Sequence, residues 1–151
     1  MTKPTSDQGT KPFRQTSRSL PIALLRARES VMAPIREMLA DAGVTEQQWR
    51  VMRVLEEAGP MDGTDLAQRA CLLPPSLTRI AQTLEAKGFV ERSVSKQDRR
   101  RQVFSISPEG SALLGTYAGR AAEIARGFEG QMGKERFDLL LGLLEELQEQ
   151  D

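Results

Sequence analysis

The fold is decided by residues 74–101, PPSLTRIAQTLEAKGFVERSVSKQDRRR. Pro74-Pro75 can only open a helix, because proline offers no amide to a preceding turn and clashes with it. Behind them Leu77, Ile80, Ala81 and Leu84 fall at i, i+3, i+4 and i+7, one apolar stripe of a helix that Gly88 ends. The opposite face carries Ser76, Arg79, Gln82, Thr83 and Lys87. Helical periodicity then stops. Phe89–Val94 reads as a short strand and Val103–Ser107 as a second, with Ser95–Arg101 as a polar, charged tip.

Working upstream, Asp62 is placed to cap a short helix bearing Leu66, Ala67 and Ala70, which Cys71-Leu72-Leu73 interrupts. Thr45-Glu46-Gln47-Gln48 has the form of a capping box and opens a helix with Trp49, Met52 and Leu55 inward and Gly59 as its stop. Ser19 and Pro21 begin a longer one, whose stripe runs Leu20, Leu24, Ala27, Val31, Ile35 and Met38 to Gly43, with a kink expected at Pro34. Downstream, Ser107-Pro108 starts a helix with Leu113, Tyr117, Ala121, Ile124 and Phe128. Beyond Gly133 a last helix carries Phe137, Leu140, Leu141, Leu144 and Leu147. The expected order is three helices, a fourth, a two-stranded ribbon and two more helices.

That order is a mostly α fold: a winged helix-turn-helix at about 45–107, flanked by N- and C-terminal dimerisation helices at about 19–42 and 108–150. Residues 1–18 read as a basic flexible arm, and 19–151 as one domain. The flanking helices carry apolar stripes that a winged helix of ~70 residues leaves uncovered, so they are expected to bury against each other and against a second copy. A monomer with a larger single core is the competing reading.

Composition narrows the chemistry. The chain of 151 residues has no histidine and one cysteine. A Ser–His–Asp or Cys–His catalytic arrangement, an intramolecular disulfide and a cysteine zinc cluster are therefore excluded, and neither enzyme activity, metal nor cofactor is expected. The apolar run at Leu139–Leu144 is too short to span a bilayer, and residues 1–17 lack the apolar core of a signal peptide, so the expectation is a cytoplasmic protein without membrane contact.

Basic and acidic residues balance at 21 each, but unevenly along the chain. Residues 87–101 hold six basic residues against two acids, whereas 134–151 hold six acids against two basic residues. Sixteen of the 21 basic residues are arginine, whose planar fork suits phosphate and base edges. Taken alone, the cluster reads equally as a solvated surface, and the helix and hairpin as an ordinary amphipathic helix and a charge-protected ribbon. Their adjacency points to double-stranded DNA. The major groove, about 12 Å wide, admits a helix presenting Ser76, Thr78, Arg79, Gln82 and Thr83. Lys96, Arg99, Arg100 and Arg101 at the tip would reach backbone or minor groove. Asp98 is expected to pair with a neighbouring arginine and hold its rotamer.

At these residues the chain resembles the MarR (multiple antibiotic resistance regulator) family. The likeness rests on Ser76-Leu77-Thr78-Arg79, Leu84–Arg92, Asp98-Arg99-Arg100 and Ser107-Pro108-Glu109-Gly110, in order and at matching spacing over about residues 20–145. It implies a dimeric winged-helix repressor released from DNA by a small phenolic or carboxylic ligand, and a two-fold dimer in turn demands a palindromic operator. It also implies that Asp98 and Arg100 match the wing's Asp-x-Arg, with Arg100 entering the minor groove. Ser107 stands where threonine is commoner. A narrower likeness, in Ser19-Leu20-Pro21, Leu24–Glu29, Thr45–Val51 and Pro75–Arg79, is to the regulators of homoprotocatechuate (4-hydroxyphenylacetate) degradation, which implies an aromatic carboxylate effector.

A ligand pocket is expected where the dimer helices meet the DNA-binding lobe. Arg18, Arg28 and Arg50 suit a carboxylate, Trp49 an aromatic ring and Ser19 a hydroxyl. Core packing for Trp49 and surface ion pairs for Arg28 and Arg50 are the competing roles. Cys71 is expected to be a buried small apolar residue. Two other functions stay open: a redox-sensing regulator acting through Cys71, and a protein-interaction adaptor that binds no DNA.

Overall fold

The computed structural model describes residues 15–149. Most of the basic arm, including Lys3, Lys11 and Arg14, lies outside the described residues, and Thr16–Arg18 forms a 3-10 turn. The chain divides into two compact units between Ala33 and Pro34. The first holds that turn and the leading part of a long helix, α1 (Leu20–Ala42). None of its described residues is buried, and Leu20, Leu24, Leu25 and Val31 are exposed. Pro34 removes one amide from α1 without ending it, for the helix runs unbroken to Ala42.

The second unit continues through α2 (Glu46–Ala58), β1 (Met61–Asp62), α3 (Gly63–Arg69), α4 (Pro74–Ala86), β2 (Val90–Val94), β3 (Gln102–Ile106), α5 (Pro108–Met132) and α6 (Lys134–Gln148). The sheet corrects the expected two-stranded ribbon. Its order is β1-β3-β2, antiparallel throughout, with Met61 opposite Phe104 and Val90 opposite Ile106. A two-residue strand is too short to show alternation, and it exists only because β3 offers it a partner.

Three of the helix starts are written in side chains. Thr45 and Gln48 form a reciprocal box: Gln48 N donates to Thr45 Oγ1 and Thr45 N to Gln48 Oε1, each at 3.1 Å. Asp62 Oδ1 accepts the Asp65 amide at 2.9 Å, starting α3 directly out of β1. Ser107 Oγ accepts the Gly110 amide at 3.0 Å, starting α5. The fourth, α4, has no side-chain cap and uses Pro74 and Pro75 in its first turn, so fewer orphan amides need one.

The core lies where α2, α3, α4 and the sheet converge. Met52, Leu55, Leu66, Leu77 and Leu84 are almost wholly buried there, each contributing about 1.5–3 kcal/mol of apolar transfer. Burying Leu77, Ala81 and Leu84 fixes which side of α4 faces out. The corner after α4 is held on two sides. Lys87 Nζ donates to the Gly43 carbonyl at 3.1 Å and to Gln48 Oε1 at 3.4 Å. Opposite, Ser107 Oγ donates to the Gly88 carbonyl at 2.6 Å and Ser107 N to the Phe89 carbonyl at 3.0 Å. A Cβ on Gly110 would stand 2.3 Å from that Phe89 oxygen, so only glycine lets α5 start this close. The Ser107 hydroxyl thus ties the turn after α4 to the start of α5 as well as capping that helix.

Cys71 is exposed, not buried as expected, and has φ of +56° in the turn between α3 and α4. Its backbone turns the chain there: Cys71 N donates to the Gln68 carbonyl and Leu72 N to the Ala67 carbonyl. The apolar contacts fall to its neighbours, buried Ala70 and half-buried Leu72. At the other end α6 buries no residue and exposes Leu139, Leu140, Leu141, Leu143 and Leu147. Among the described residues no helix is long and apolar enough to cross a membrane.

Candidate nucleic-acid interface

The polar side of α4 points outward. Thr78, Arg79, Gln82 and Thr83 are exposed and Ser76 is half-buried. The Thr78 hydroxyl donates to the Pro74 carbonyl and that of Thr83 to the Arg79 carbonyl, both at 3.1 Å. Their oxygens are thereby turned toward the helix, while Arg79 and Gln82 project farthest as long donors. This division follows from side-chain length and from the i−4 back-bonding open to threonine in a helix.

The tip of the β2–β3 hairpin is ordered by hydrogen bonds instead of packing. Ser95 N donates to the Arg101 carbonyl at 2.9 Å, closing the loop at its base. Ser95 Oγ accepts the amides of Gln97 and Asp98, and Asp98 Oδ1 accepts the Arg100 amide at 3.0 Å. The expected pairing of Asp98 with an arginine side chain is therefore corrected: its carboxylate binds backbone, and it shapes the loop that presents arginine. Lys96, Arg99 and Arg100 are exposed, and no described residue pairs with their charges. Arg92 lies lower on the hairpin and is engaged by Glu85 at 3.3 Å.

Helix face and hairpin share one cleft of about 480 Å³, lined on one side by Thr78 and Gln82 and on the other by Arg92, Arg100 and Arg101. Asp62 and Asp65 form part of its floor, and Arg101 reaches Asp62 across it. Two sequence-distant groups of donors thus open onto one concave surface, in which Glu85 engages Arg92, Asp62 engages Arg101, and Arg100 has no acid on it.

The effector candidates fall in both units. Arg18 lies in the 3-10 turn, Ser19 follows it and Arg28 is on α1, all in the first unit. Trp49 and Arg50 are on α2. Trp49 is buried, its ring edge-on to Tyr117 at 6.5 Å between centroids. Arg50 lies 3.8 Å from Glu46 on its own helix, and its Nε is buried without a hydrogen-bond partner. Sequence reasoning passed over Arg53. It lines a second groove, of about 470 Å³, with Trp49, Glu56, Ser111 and the small side chains of α5. The signal was there: Arg53 follows Trp49 by four residues and shares its helix face.

A short helix pair followed by a hairpin, with an arginine-bearing cleft between the second helix and the hairpin, defines a winged helix-turn-helix DNA-binding protein. A sequence profile of the MarR family matches residues 44–101, the segment that builds this cleft. The homoprotocatechuate degradative operon repressor of Escherichia coli is 43% identical over 128 residues, covering 85% of this chain and 86% of that one. The chain belongs to the MarR family and is a transcriptional regulator of that type. Among solved structures, NadR in complex with 4-hydroxyphenylacetate superposes with a TM-score of 0.80 at 38% identity, covering 93% of this chain and 99% of the other. The repressor CouR bound to a 23-mer DNA duplex superposes at 0.76 with 25% identity, covering 87% and 93%.

Proposed function

We propose that this protein is a homodimeric repressor of an aromatic-acid catabolic operon of the homoprotocatechuate/4-hydroxyphenylacetate kind, and that an aromatic carboxylate releases it from a palindromic operator. The observation that carries the reading is the shared cleft, which turns Gln82 and Arg100 toward one partner. Arg79 and Gln82 read base edges, while Ser76 contacts phosphate or base, as do Thr78 and Thr83 once their hydroxyls leave the Pro74 and Arg79 carbonyls. Lys96, Arg99 and Arg100, on a loop shaped by Asp98, meet the backbone and minor groove, and Arg101 stands at the foot of that loop. The exposed leucines of α6 are covered by a second copy of the chain, and the dimer spaces two recognition helices by one DNA turn of ~34 Å. The protein works in the cytoplasm, needs no metal or cofactor and catalyses nothing.

Release is a population shift: the effector binds better to a dimer whose recognition helices no longer match successive major grooves. Arg18, Ser19, Arg28, Trp49 and Arg50 are the residues proposed for the effector, and the relatives that carry 4-hydroxyphenylacetate or homoprotocatechuate in their names support its class. Titrating 4-hydroxyphenylacetate and 3,4-dihydroxyphenylacetate into a complex with the gene's upstream DNA tests this. At least one should free the DNA, and benzoate serves as the control; a complex indifferent to both removes the aromatic-acid reading. The exposure of Cys71 favours a second reading, release by oxidants. Peroxide should then dissociate the complex and Cys71→Ser should prevent it.

A further inference from the structure

Of the arginines at the wing, Arg101 differs in what its guanidinium does. Arg99 and Arg100 extend from the tip unpaired, whereas Arg101 Nη1 lies 3.5 Å from Asp62 Oδ2. The Arg101 backbone is already spent on closing the loop, with its amide to the Asp98 carbonyl and its carbonyl to the Ser95 amide. Asp62 is equally committed. Its other oxygen starts α3 through the Asp65 amide at 2.9 Å, and its backbone lies in β1 opposite Val103 of β3. One residue therefore joins the first turn of α3 and the foot of the wing loop through its carboxylate, and the sheet through its backbone. Its side chain is only 21% exposed, which strengthens a charge pair that open water would screen.

We propose that Asp62 is a positioning residue and Arg101 its strut: together they set the width of the cleft between Gln82 and Arg100, and Arg101 is not a phosphate contact. The proposal rests on that cleft being the DNA interface. Its physical basis is that the Arg92–Glu85 pair ties only the strand below the loop to α4, and the loop itself has one brace, Arg101 to Asp62. Residues 95–101 include no buried side chain and their hydrogen bonds stay within the loop, so this pair is what fixes the loop against the start of α3. A lone hairpin tip would sample many angles, and each would have to be frozen out when the wing and recognition helix engage one duplex together.

The rival is a latch, in which Asp62 merely occupies a guanidinium that DNA phosphate later takes. The two differ in sign. Asp62→Asn keeps an oxygen for the Asp65 amide, removes a negative charge from the DNA-facing cleft and frees Arg101. A latch then tightens binding, whereas a strut weakens it.

The test uses the full chain and a labelled duplex that the wild type selects from a randomised pool, with affinity measured over a series of salt concentrations. With a strut, Asp62→Asn and Arg101→Gln each weaken binding about three- to fivefold, as expected for a partly exposed ion pair. The double variant is no weaker than either single one, and the slope of log affinity against log salt stays that of the wild type. Tighter binding by Asp62→Asn, a slope lowered by about one in Arg101→Gln, or equal affinity in all four proteins overturns the proposal. Should Asp62→Asn fail to fold, the slope for Arg101→Gln decides alone, since that side chain is 67% exposed. A wild type that selects no duplex overturns the DNA reading itself and the strut with it.

Discussion

The recognition helix and the wing loop face the same cleft but are placed by opposite means. Leu77, Ala81 and Leu84 lock α4 into the core, and its outward face follows from that burial. The loop at 95–101 buries nothing and is held by Ser95, Asp98 and one ion pair. The lesson is that, on the proposed function, base reading falls to an element placed by packing and backbone grip to one placed by hydrogen bonds. Substitutions should separate accordingly: behind α4 they cost folding, and within the loop they cost binding alone.

The sharpest way to break that contrast is Leu84→Ala. Truncating a fully buried leucine between α4 and its neighbours should destabilise the fold by about 2–5 kcal/mol, read from denaturant unfolding. A loss below ~1 kcal/mol would show that packing does not place the helix. Next comes Arg79→Ala, on the exposed face of the same helix. Unfolding should be unaffected, while operator affinity falls by about 1–3 kcal/mol and discrimination relaxes at one base pair, measured by competition with single-site operator variants. The smallest effect is expected from Asp98→Ala. Losing the acceptor for the Arg100 amide should weaken binding to specific and unrelated duplexes alike by about 0.5–1.5 kcal/mol, with an unchanged unfolding midpoint. A selective loss on the operator alone would make Asp98 part of base reading and dissolve the contrast.

Legibility in the sequence followed the same divide. Elements governed by local rules were readable: the Thr45–Gln48 box, the Asp62 and Ser107 caps, the diproline start of α4 and its apolar stripe all stand where spacing and residue type put them. What was missed depends on long-range partners. Strand β1 is two residues that mean nothing until β3 lies beside them. The role of Asp98 depends on the Arg100 amide curling back onto it, and the pairing of Asp62 with Arg101 joins residues far apart in sequence. Cys71 has an apolar-looking side chain in an apolar-looking stretch, and only the turn's backbone, with φ of +56°, shows why it faces out. Arg53 shares a face with Trp49 by helical spacing alone, but the groove they line exists only where α5 lays its small side chains beside them.

The central claim is that α4 and the wing loop engage one duplex together. Amide hydrogen exchange of the protein, free and bound to its operator, tests it most directly, because each amide reports its own protection. Bound DNA should slow exchange at Lys96–Arg100 and in the first turns of α4 simultaneously, leaving α6 unchanged. Protection of one segment without the other, or of α6 instead of either, would contradict the claim.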